Sequence, residues 1–264
     1  MKVVLTIAGS DSSGGAGIQA DLKTFEAFGV FGTSVITVLT AQNTKGVNSI
    51  QEISSDFVKA QLEAIFDDFD ISAIKIGMLF SNEIIDVVRE FIKDLTIPIV
   101  FDPVFISKAG SKLLHDDAIE NMKSILPYAT VTTPNIYEAK EMFGYEFANS
   151  DSLDDIINAP CFVLIKNHII EKNDHYRSVD TLYNGREKFV FDTPYRETNN
   201  THGTGCSYSS AITANLALGF TLEESIQKAK KFIYLAIKNG PNLGHGNGPI
   251  AHKIGGSICH IKED

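Results

Sequence analysis

The sequence is poor in cysteine, and its few cysteines form no pattern. Cys161, Cys206 and Cys259 are an odd number of residues at wide spacing, which argues against a disulfide framework and a zinc cluster. We therefore expect reduced thiols. The seven histidines form no ligand pattern either, so a histidine-bound metal is not expected.

The chain also lacks long apolar runs and an excess of positive charge. No run reaches the about 20 apolar residues that span a bilayer, and residues 1–9 enter a strand pattern without a signal peptide. We therefore expect a cytoplasmic protein with no membrane partner. A formal net charge of −10 argues against a nucleic-acid partner. A phosphorylated substrate would have to be neutralised locally, by backbone amides, Mg²⁺ and a few cations.

Nothing in the composition divides the chain. With 264 residues, 44% of them hydrophobic, and no low-complexity linker, we expect one α/β domain over residues 1–264. Strands are predicted near 3–9, 33–40, 73–78, 97–102, 129–133 and 161–166, and helices near 16–28, 56–69, 81–94, 116–126 and 135–144. Such alternation indicates parallel strands joined by crossover helices. A hairpin over 179–193 and helices near 205–218 and 221–239 complete the domain.

A glycine loop opens the first of these last two helices. Gly203, Thr204 and Gly205 lead into Cys206 and an apolar, alanine-bearing stretch. Backbone amides at such a junction are unpaired, and glycines let an anion approach them, which favours phosphate. The positive end of the helix favours a thiolate, so we predict a lowered pKa for Cys206 and a role as base or nucleophile. The alternative is a helix start that carries a packed cysteine.

A second glycine-rich loop, residues 9–17, follows the first predicted strand. It lacks the Gly-Lys-Ser/Thr ending of a Walker A motif and the spacing of a dinucleotide fingerprint. Asp21 falls inside the helix that follows this loop. The spacing alone predicts that Asp21 is a solvated helix residue.

Polar residues follow the predicted strands, at the edge where ligands bind in sheets of this kind. Asn135 and Glu138, three residues apart at a helix start, share a face on which they can hold a hydrated Mg²⁺. Asp102 is a further charge near that metal, and Lys166 can offer an ammonium to the phosphates of ATP. Taken singly, Glu138 is equally a carboxylate that complements the helix dipole, and Lys166 a solvated strand end.

Six blocks of the sequence together resemble one enzyme family. They are Ala8-Gly9-Ser10-Asp11 with the residues up to Lys23, Thr40-Ala41-Gln42-Asn43-Thr44, Lys75-Ile76-Gly77-Met78-Leu79, Asp102-Pro103-Val104, Thr133-Pro134-Asn135 and Thr201-His202-Gly203-Thr204-Gly205-Cys206. The chain resembles the hydroxymethylpyrimidine/phosphomethylpyrimidine kinases of thiamine biosynthesis, in the ribokinase-like superfamily. The resemblance extends to Pro249 and so covers nearly the whole chain.

This resemblance implies a fold and an activity. The implied fold has three αβα layers with a mostly parallel central sheet. The implied enzyme uses ATP and Mg²⁺ to phosphorylate 4-amino-5-hydroxymethyl-2-methylpyrimidine and then its monophosphate. The expected partners are this small-molecule pyrimidine, ATP and a second copy of the chain in a homodimer.

The resemblance also implies roles for single residues. Gln42 would read the pyrimidine edge with its amide, and Asp21 would lie in the same pocket, contrary to the solvated position that its spacing predicts. Met78 and Val104 would form apolar walls of the pocket, with ordinary core packing as the alternative for both.

On the nucleotide side, the amides of Gly203, Thr204 and Gly205 would hold the transferring phosphoryl group. Asn135 and Lys166 would bind the nucleotide, and Glu138 and Asp102 the metal, to which the residue pattern by itself also assigned Asn135. Most sugar kinases of the superfamily have an aspartate at the place of Cys206. The resemblance therefore implies that Cys206 is the general base, or else an anchor for charge.

Three other functions stay open. Pyridoxal kinases are closely similar but have a second cysteine on the flap after Asp-Pro-Val, where this chain has Ser107. A catalytically silent pyrimidine-binding regulator is suggested by Lys166-Asn167-His168, which stands where relatives have a longer, glycine-containing loop. A sugar kinase is disfavoured by the cysteine at position 206. Residues 107–111, rich in small and polar side chains, are expected to form a mobile lid.

Overall fold

The computed structural model describes residues 1–105, 116–146, 153–172 and 174–259. The expected lid at 107–111, including Ser107, lies outside these ranges. Within them, no helix is both long enough and apolar enough to cross a membrane.

The described strands form one nine-stranded sheet in the order β3-β2-β1-β4-β5-β6-β7-β8-β9. They are β1 (Val3–Asp11), β2 (Phe31–Asn43), β3 (Gly46–Glu52), β4 (Ile71–Ile76), β5 (Ile99–Phe101), β6 (Val131–Thr132), β7 (Phe162–Lys172), β8 (His175–Asn184) and β9 (Glu187–Pro194). Strands β2, β1, β4, β5, β6 and β7 pair in parallel, whereas β3 at one edge and β8 and β9 at the other are antiparallel. The carboxyl ends of the parallel strands therefore share one edge of the sheet.

Helices cover both faces of this sheet. The described helices are α1 (Gly17–Ala27), α2 (Ser55–Asp68), α3 (Asn82–Ile92), α4 (Asp116–Lys123), α5 (Ile136–Phe143), α6 (Asp154–Ile157), α7 (Thr204–Ala217), α8 (Leu222–Lys238) and α9 (His252–Cys259), with a short 3₁₀ turn at Leu126–Tyr128.

Side-chain alternation in the strands produces two apolar layers. In β1, Leu5 packs into one layer with Leu62 of α2 and Val88 of α3. The neighbouring Val4 points to the opposite face, where the second layer includes Phe25 of α1, Ile212 of α7 and Phe232 of α8. The expected three-layer αβα architecture with a mostly parallel sheet is confirmed.

The outermost elements differ from the sequence-based prediction. Strand β3 was missed, because its exposed residues show no apolar alternation. The predicted hairpin is part of a three-stranded meander, since β7 continues to Lys172 and pairs with β8. The expectation of a loop at 166–168 is therefore wrong, because the chain stays extended there. Helix α9 was also missed, and its Gly255 lies so close to α8 that an added Cβ would be 2.9 Å from Ala236.

Candidate active site

Two helix N-termini meet beyond the carboxyl end of β1. Gly203 caps the start of α7 in the left-handed region, with φ 77°, and makes no side-chain cap. A Cβ at this position would lie 1.7 Å from the carbonyl oxygen of Gly15, in the loop that leads into α1. Only glycine fits here, because both the backbone conformation and the close approach exclude a side chain.

The amides before α1 are already bound to an anion of the chain itself. Asp11 accepts hydrogen bonds from the amides of Gly15, at 3.1 Å, and Ala16, at 2.8 Å. Burial opposes ionisation, but hydrogen bonds from His202, Ser13 and Ala16 lower the pKa of Asp11 to about 2. The first turn of α7, which has no such carboxylate, is the better place for a phosphate.

The prediction of a lowered pKa for Cys206 is wrong. Burial raises the pKa of its thiol to about 11, and the negative charges of Asp21 and Asp102 add to this rise. The Lys75 ammonium and the amide of Gly17 oppose the rise without cancelling it. Desolvation of the thiolate outweighs the helix dipole in this setting. Cys206 is therefore a protonated thiol in the free chain at neutral pH. It is a free cysteine, as is Cys161.

A buried ion pair lies beneath the first turn of α7. Lys166 donates to Asp102 at 2.5 Å, and the side chains are 6% and 1% exposed. Asp102 also accepts hydrogen bonds from Thr133 and from Ser209 of α7. A Cβ on Gly205 would be 3.4 Å from the Lys166 Nζ. The ammonium of Lys166 therefore lies just below the amides that we expect to hold phosphate. The alternative, that Lys166 is a solvated residue at the end of a strand, is wrong because its side chain is buried.

A second buried ion pair lies beside the first. Lys75 Nζ donates to Asp21 Oδ2 at 2.8 Å, and both side chains are 0% exposed. Asp21 also accepts from Thr6 at 2.6 Å and, through its other oxygen, from Ser210 of α7 at 2.7 Å. The solvated position that spacing predicted for Asp21 is thus wrong. Its carboxylate is buried with both oxygens engaged, and contact of Asp21 with a pyrimidine stays a prediction.

Asn135 and Glu138 form the N-terminal cap of α5. Asn135 accepts hydrogen bonds from the amides of Tyr137 and Glu138, while Glu138 accepts one from the amide of Asn135. Burial raises the pKa of Glu138 to about 8. The positive charge of Lys166 opposes this rise, and the negative charge of Asp102 adds to it. The capping role is therefore real, and it holds Glu138 in the interior.

The same geometry suits a hydrated divalent cation. Across the described residues, no group of three or more His, Cys, Asp or Glu side chains forms a complete metal cage. Mg²⁺ is usually bound by one or two carboxylates, with water and substrate phosphates as its other ligands. A cation beside Glu138 would favour the ionised carboxylate that burial disfavours. The residues present fit such an ion, and magnesium binding stays a prediction.

Gln42 lies at the end of β2, facing the glycine loop. Its amide nitrogen is 3.4 Å from His202 Nε2, and its amide oxygen is 3.1 Å from the Thr40 hydroxyl. His202 in turn bonds to Asp11 at 2.7 Å. The amide of Gln42 is thus placed by contacts on both sides, beside the loop where the phosphate is expected.

The C-terminal glycine segment, residues 244–248, holds the turn after Gln42. The carbonyl of Thr44 accepts a hydrogen bond from the amide of Asn247 in that segment, at 2.9 Å. A Cβ on Gly246 would lie 2.1 Å from the same carbonyl oxygen. This segment also contacts the glycine loop, because His202 donates its amide to the carbonyl of Gly248. These contacts bring residues that are far apart in sequence together beside the glycine loop.

Met78 and Val104 are both half-buried at the carboxyl ends of β4 and β5. The sulfur of Met78 would be 3.7 Å from a Cβ on Gly9. The backbone carbonyl of Met78 accepts a hydrogen bond from the hydroxyl of Thr37. Phe80 nearby has φ 75°, a left-handed conformation that is rare for a bulky residue and that concentrates at functional sites. Contact of Met78 and Val104 with a pyrimidine stays a prediction.

Several predicted residues thus lie around the first turn of α7. Asp21 and Asp102 each bond to a serine of this helix, Lys166 lies under Gly205, and Cys206 is in the turn itself. Sequence reasoning gave no role to Lys75 or Asp11. A lysine within the apolar run of β4 was the available signal, because a buried ammonium requires a counter-ion.

Comparison with known proteins identifies the family. The family model described as phosphomethylpyrimidine kinase matches residues 11–251. A hydroxymethylpyrimidine/phosphomethylpyrimidine kinase of Haemophilus influenzae is 45% identical over 261 residues, which cover 96% of this chain and 97% of that protein. The chain belongs to the phosphomethylpyrimidine kinase family. The members of this family are kinases, as the resemblance implied.

Solved structures of similar proteins have the same fold. The ADP complex of Bacillus subtilis pyridoxal kinase is 37% identical, with a TM-score of 0.86 and coverage of 96% of this chain and 98% of that one. A phosphomethylpyrimidine kinase from Clostridium difficile is 43% identical, with a TM-score of 0.76 and coverage of 90% and 100%. The ribokinase-like fold is therefore shared by kinases named for two different acceptors.

Proposed function

We propose that this chain transfers the γ-phosphoryl group of ATP to 4-amino-5-hydroxymethyl-2-methylpyrimidine, and then to its monophosphate, in thiamine biosynthesis. The observation that carries the proposal is the first turn of α7. There an uncapped glycine turn lies above the Lys166 ammonium and carries Cys206. Family membership over residues 11–251 and the name of the Haemophilus influenzae relative support the same activity.

The proposed transfer depends on positioning and charge. The amides of Gly203, Thr204 and Gly205 hold the transferring phosphoryl group, and Lys166 offsets its negative charge from below. The hydroxymethyl oxygen bonds to the γ-phosphorus as the bond to the bridging oxygen of ADP breaks. The thiolate form of Cys206, a small fraction at neutral pH because burial raises the pKa of the thiol to about 11, takes the proton of the hydroxymethyl group. When bound, Mg²⁺ neutralises charge on the phosphates, and Glu138, Asn135 and Asp102 are the residues that would hold it.

One assay tests the proposal. ATP consumption is measured in parallel with the hydroxymethylpyrimidine, its monophosphate, pyridoxal and ribose. We expect the two pyrimidines to have the highest kcat/KM. Faster turnover of pyridoxal than of either pyrimidine would overturn the assignment, and the absence of any turnover would favour a non-catalytic pyrimidine-binding regulator.

Pyridoxal kinase is the second candidate. It is favoured by the TM-score of 0.86 to the pyridoxal kinase of Bacillus subtilis. The higher sequence identity to the pyrimidine kinases, 45% and 43% against 37%, supports the pyrimidine as the better substrate.

Gln42 provides a prediction that separates recognition from chemistry. Gln42→Ala leaves polar groups of the pyrimidine unpaired, a loss of about 1–3 kcal/mol. We expect a KM for the pyrimidine raised by about 5- to 150-fold, with the KM for ATP unchanged. Thr40→Val, which removes only the hydroxyl beside the amide, is the matched control and is expected to have a smaller effect. Loss of ATP binding in Gln42→Ala would place this residue outside the pyrimidine pocket.

Three further expectations stay predictions: a single domain over residues 1–264, a cytoplasmic location and a homodimer. The edge position of β3 and the exposed side chains of Leu39 and Ile50 support association of two copies. Light scattering should then give twice the 28.9 kDa of the chain.

A further inference from the structure

Lys75 is a buried charged residue that the proposed transfer does not use. Its side chain is 0% exposed, and its ammonium donates one hydrogen bond, to Asp21 at 2.8 Å. Within the described ranges, no acceptor takes its other protons. A buried ion pair of this kind is weak evidence for stability, because well-packed apolar residues in its place are often as stable. Its position therefore calls for an explanation beyond folding.

The absence of a side chain at Gly77 leaves room for this ammonium at the carboxyl end of β4. A Cβ on Gly77 would lie 2.6 Å from the Lys75 Nζ, so a side chain at position 77 would displace the charge. Asp21 fixes the ammonium in turn, since its second oxygen accepts from Ser210 of α7. Lys75, Asp21 and Ser210 thus connect β4, α1 and α7.

Cys206 lies on the same face of α7 as Ser210. The two residues are four positions apart, so their side chains are neighbours on the helix surface. The charged groups that act on the thiol are Lys75 from β4, Asp21 from α1, Asp102 after β5 and Lys166 from β7. The amide of Gly17 also favours the thiolate. Among these groups, Lys75 favours the thiolate most, and the thiol in return contributes to the raised pKa of Lys75.

We propose that Lys75 is a positioning residue for Cys206: its buried ammonium is the counter-ion of the thiolate, and Asp21 holds that ammonium in place. The inference rests on the proposed function. In the transfer, the proton of the hydroxymethyl group moves to the sulfur while the new oxygen–phosphorus bond forms and ADP leaves. Lys75 keeps its proton throughout, and the thiol later returns its proton to solvent.

Alkylation of the free chain by iodoacetamide tests the proposal without any substrate. The rate at Cys206 is followed at pH 8 by peptide mass spectrometry, which resolves the three cysteines. Removing the cation in Lys75→Met should slow alkylation about tenfold, because an opposite charge at close range shifts a pKa by about one unit or more. Removing the carboxylate in Asp21→Asn should accelerate it by a smaller factor, about threefold, because Asp21 acts on the thiol less strongly than Lys75 does. A purely structural role would not move the rate in opposite directions.

Lys230→Met is the matched control. Lys230 pairs with Asp180 at 2.7 Å, with side chains 6% and 2% exposed, and neither residue is among the groups that act most strongly on the Cys206 thiol. Its loss should leave Cys206 alkylation unchanged. If neither single variant folds, the neutral double variant Lys75→Met/Asp21→Asn is measured and should still be slower than wild type. Unchanged alkylation in a folded Lys75→Met or double variant, or an equal effect in Lys230→Met, would overturn the inference.

Turnover gives an independent readout. Lys75→Met should lower kcat at least about tenfold, with the KM for the pyrimidine unchanged, and Lys75→Arg should recover part of the rate. Suppose that alkylation is slower in Lys75→Met but that the parallel assay shows faster turnover of pyridoxal than of either pyrimidine. This result would refute the proposed function and still support the interaction of Lys75 with Cys206. The two proposals therefore fail separately.

Discussion

Replacing Cys206 by serine is expected to lower kcat for the hydroxymethylpyrimidine by about 10²–10⁴, the usual contribution of a general base. Serine is nearly isosteric, so the fold and the amides of Gly203, Thr204 and Gly205 are retained. Its hydroxyl ionises far less readily than the thiol, so little base is present. The measurement is kcat together with the Kd for ATP by calorimetry, and we expect the Kd to be unchanged.

The pH profile identifies the cause of this loss. Because burial raises the pKa of the Cys206 thiol to about 11, the thiolate fraction increases about tenfold per pH unit below that value. Wild-type kcat should therefore increase between pH 7 and pH 9, and Cys206→Ser should lose the increase. Cys161→Ser is the control, since Cys161 lies before β7, at the opposite edge of the sheet, and should keep both rate and profile.

Two outcomes would contradict the base role. Near wild-type turnover in Cys206→Ser would make the thiol dispensable and leave the loop amides and the metal as the catalytic apparatus. A flat wild-type profile with a slow serine variant would indicate that Cys206 anchors charge as a neutral thiol. Cys206→Asp restores the aspartate of the sugar kinases, and we expect partial recovery, limited by repulsion from Asp21 and Asp102.

The core of the fold was predictable because periodicity reports burial. Each parallel strand is an apolar run covered on both faces, as β1 illustrates with Val4 in one layer and Leu5 in the other. The edges were not predictable in the same way. Strand β3 is largely exposed, and α9 contains two glycines that oppose helix formation but permit close packing against α8 and α1. Both elements form because of contacts with other parts of the fold, β3 with β2 and α9 with α8 and α1, which the local sequence does not show.

That the candidate site residues gather at one edge of the sheet was predictable, whereas their electrostatics was not. Polar residues after successive strands do meet at one edge, because parallel strands align their carboxyl ends. The pKa of Cys206 was predicted with the wrong sign, since a local sequence shows the helix start but not the desolvation of the sulfur. Asp21 was likewise placed in solvent by its spacing, whereas its partners Lys75 and Ser210 come from distant segments.

The Gly203→Ala variant should abolish most activity, with kcat/KM lower by about 10²-fold or more. A Cβ at this position would lie 1.7 Å from the Gly15 carbonyl oxygen, and φ is 77°. The first turn of α7 must then move away from the loop before α1, and misplacement by about 1 Å is enough to cost 10²-fold in rate. Cys206 and the amides that we propose to hold the phosphoryl group would move together.

Gly29→Ala is the matched control for backbone strain. Gly29 has φ 71°, close to that of Gly203, but an added Cβ would meet no atom within 4 Å. Both variants carry the left-handed penalty of about 1–2 kcal/mol for a non-glycine residue, measured by urea unfolding. Only Gly203→Ala should also lose turnover and ATP affinity. If both variants lost stability equally and both kept wild-type kcat/KM, the contact between the two helix N-termini would not be what positions the transferring phosphoryl group.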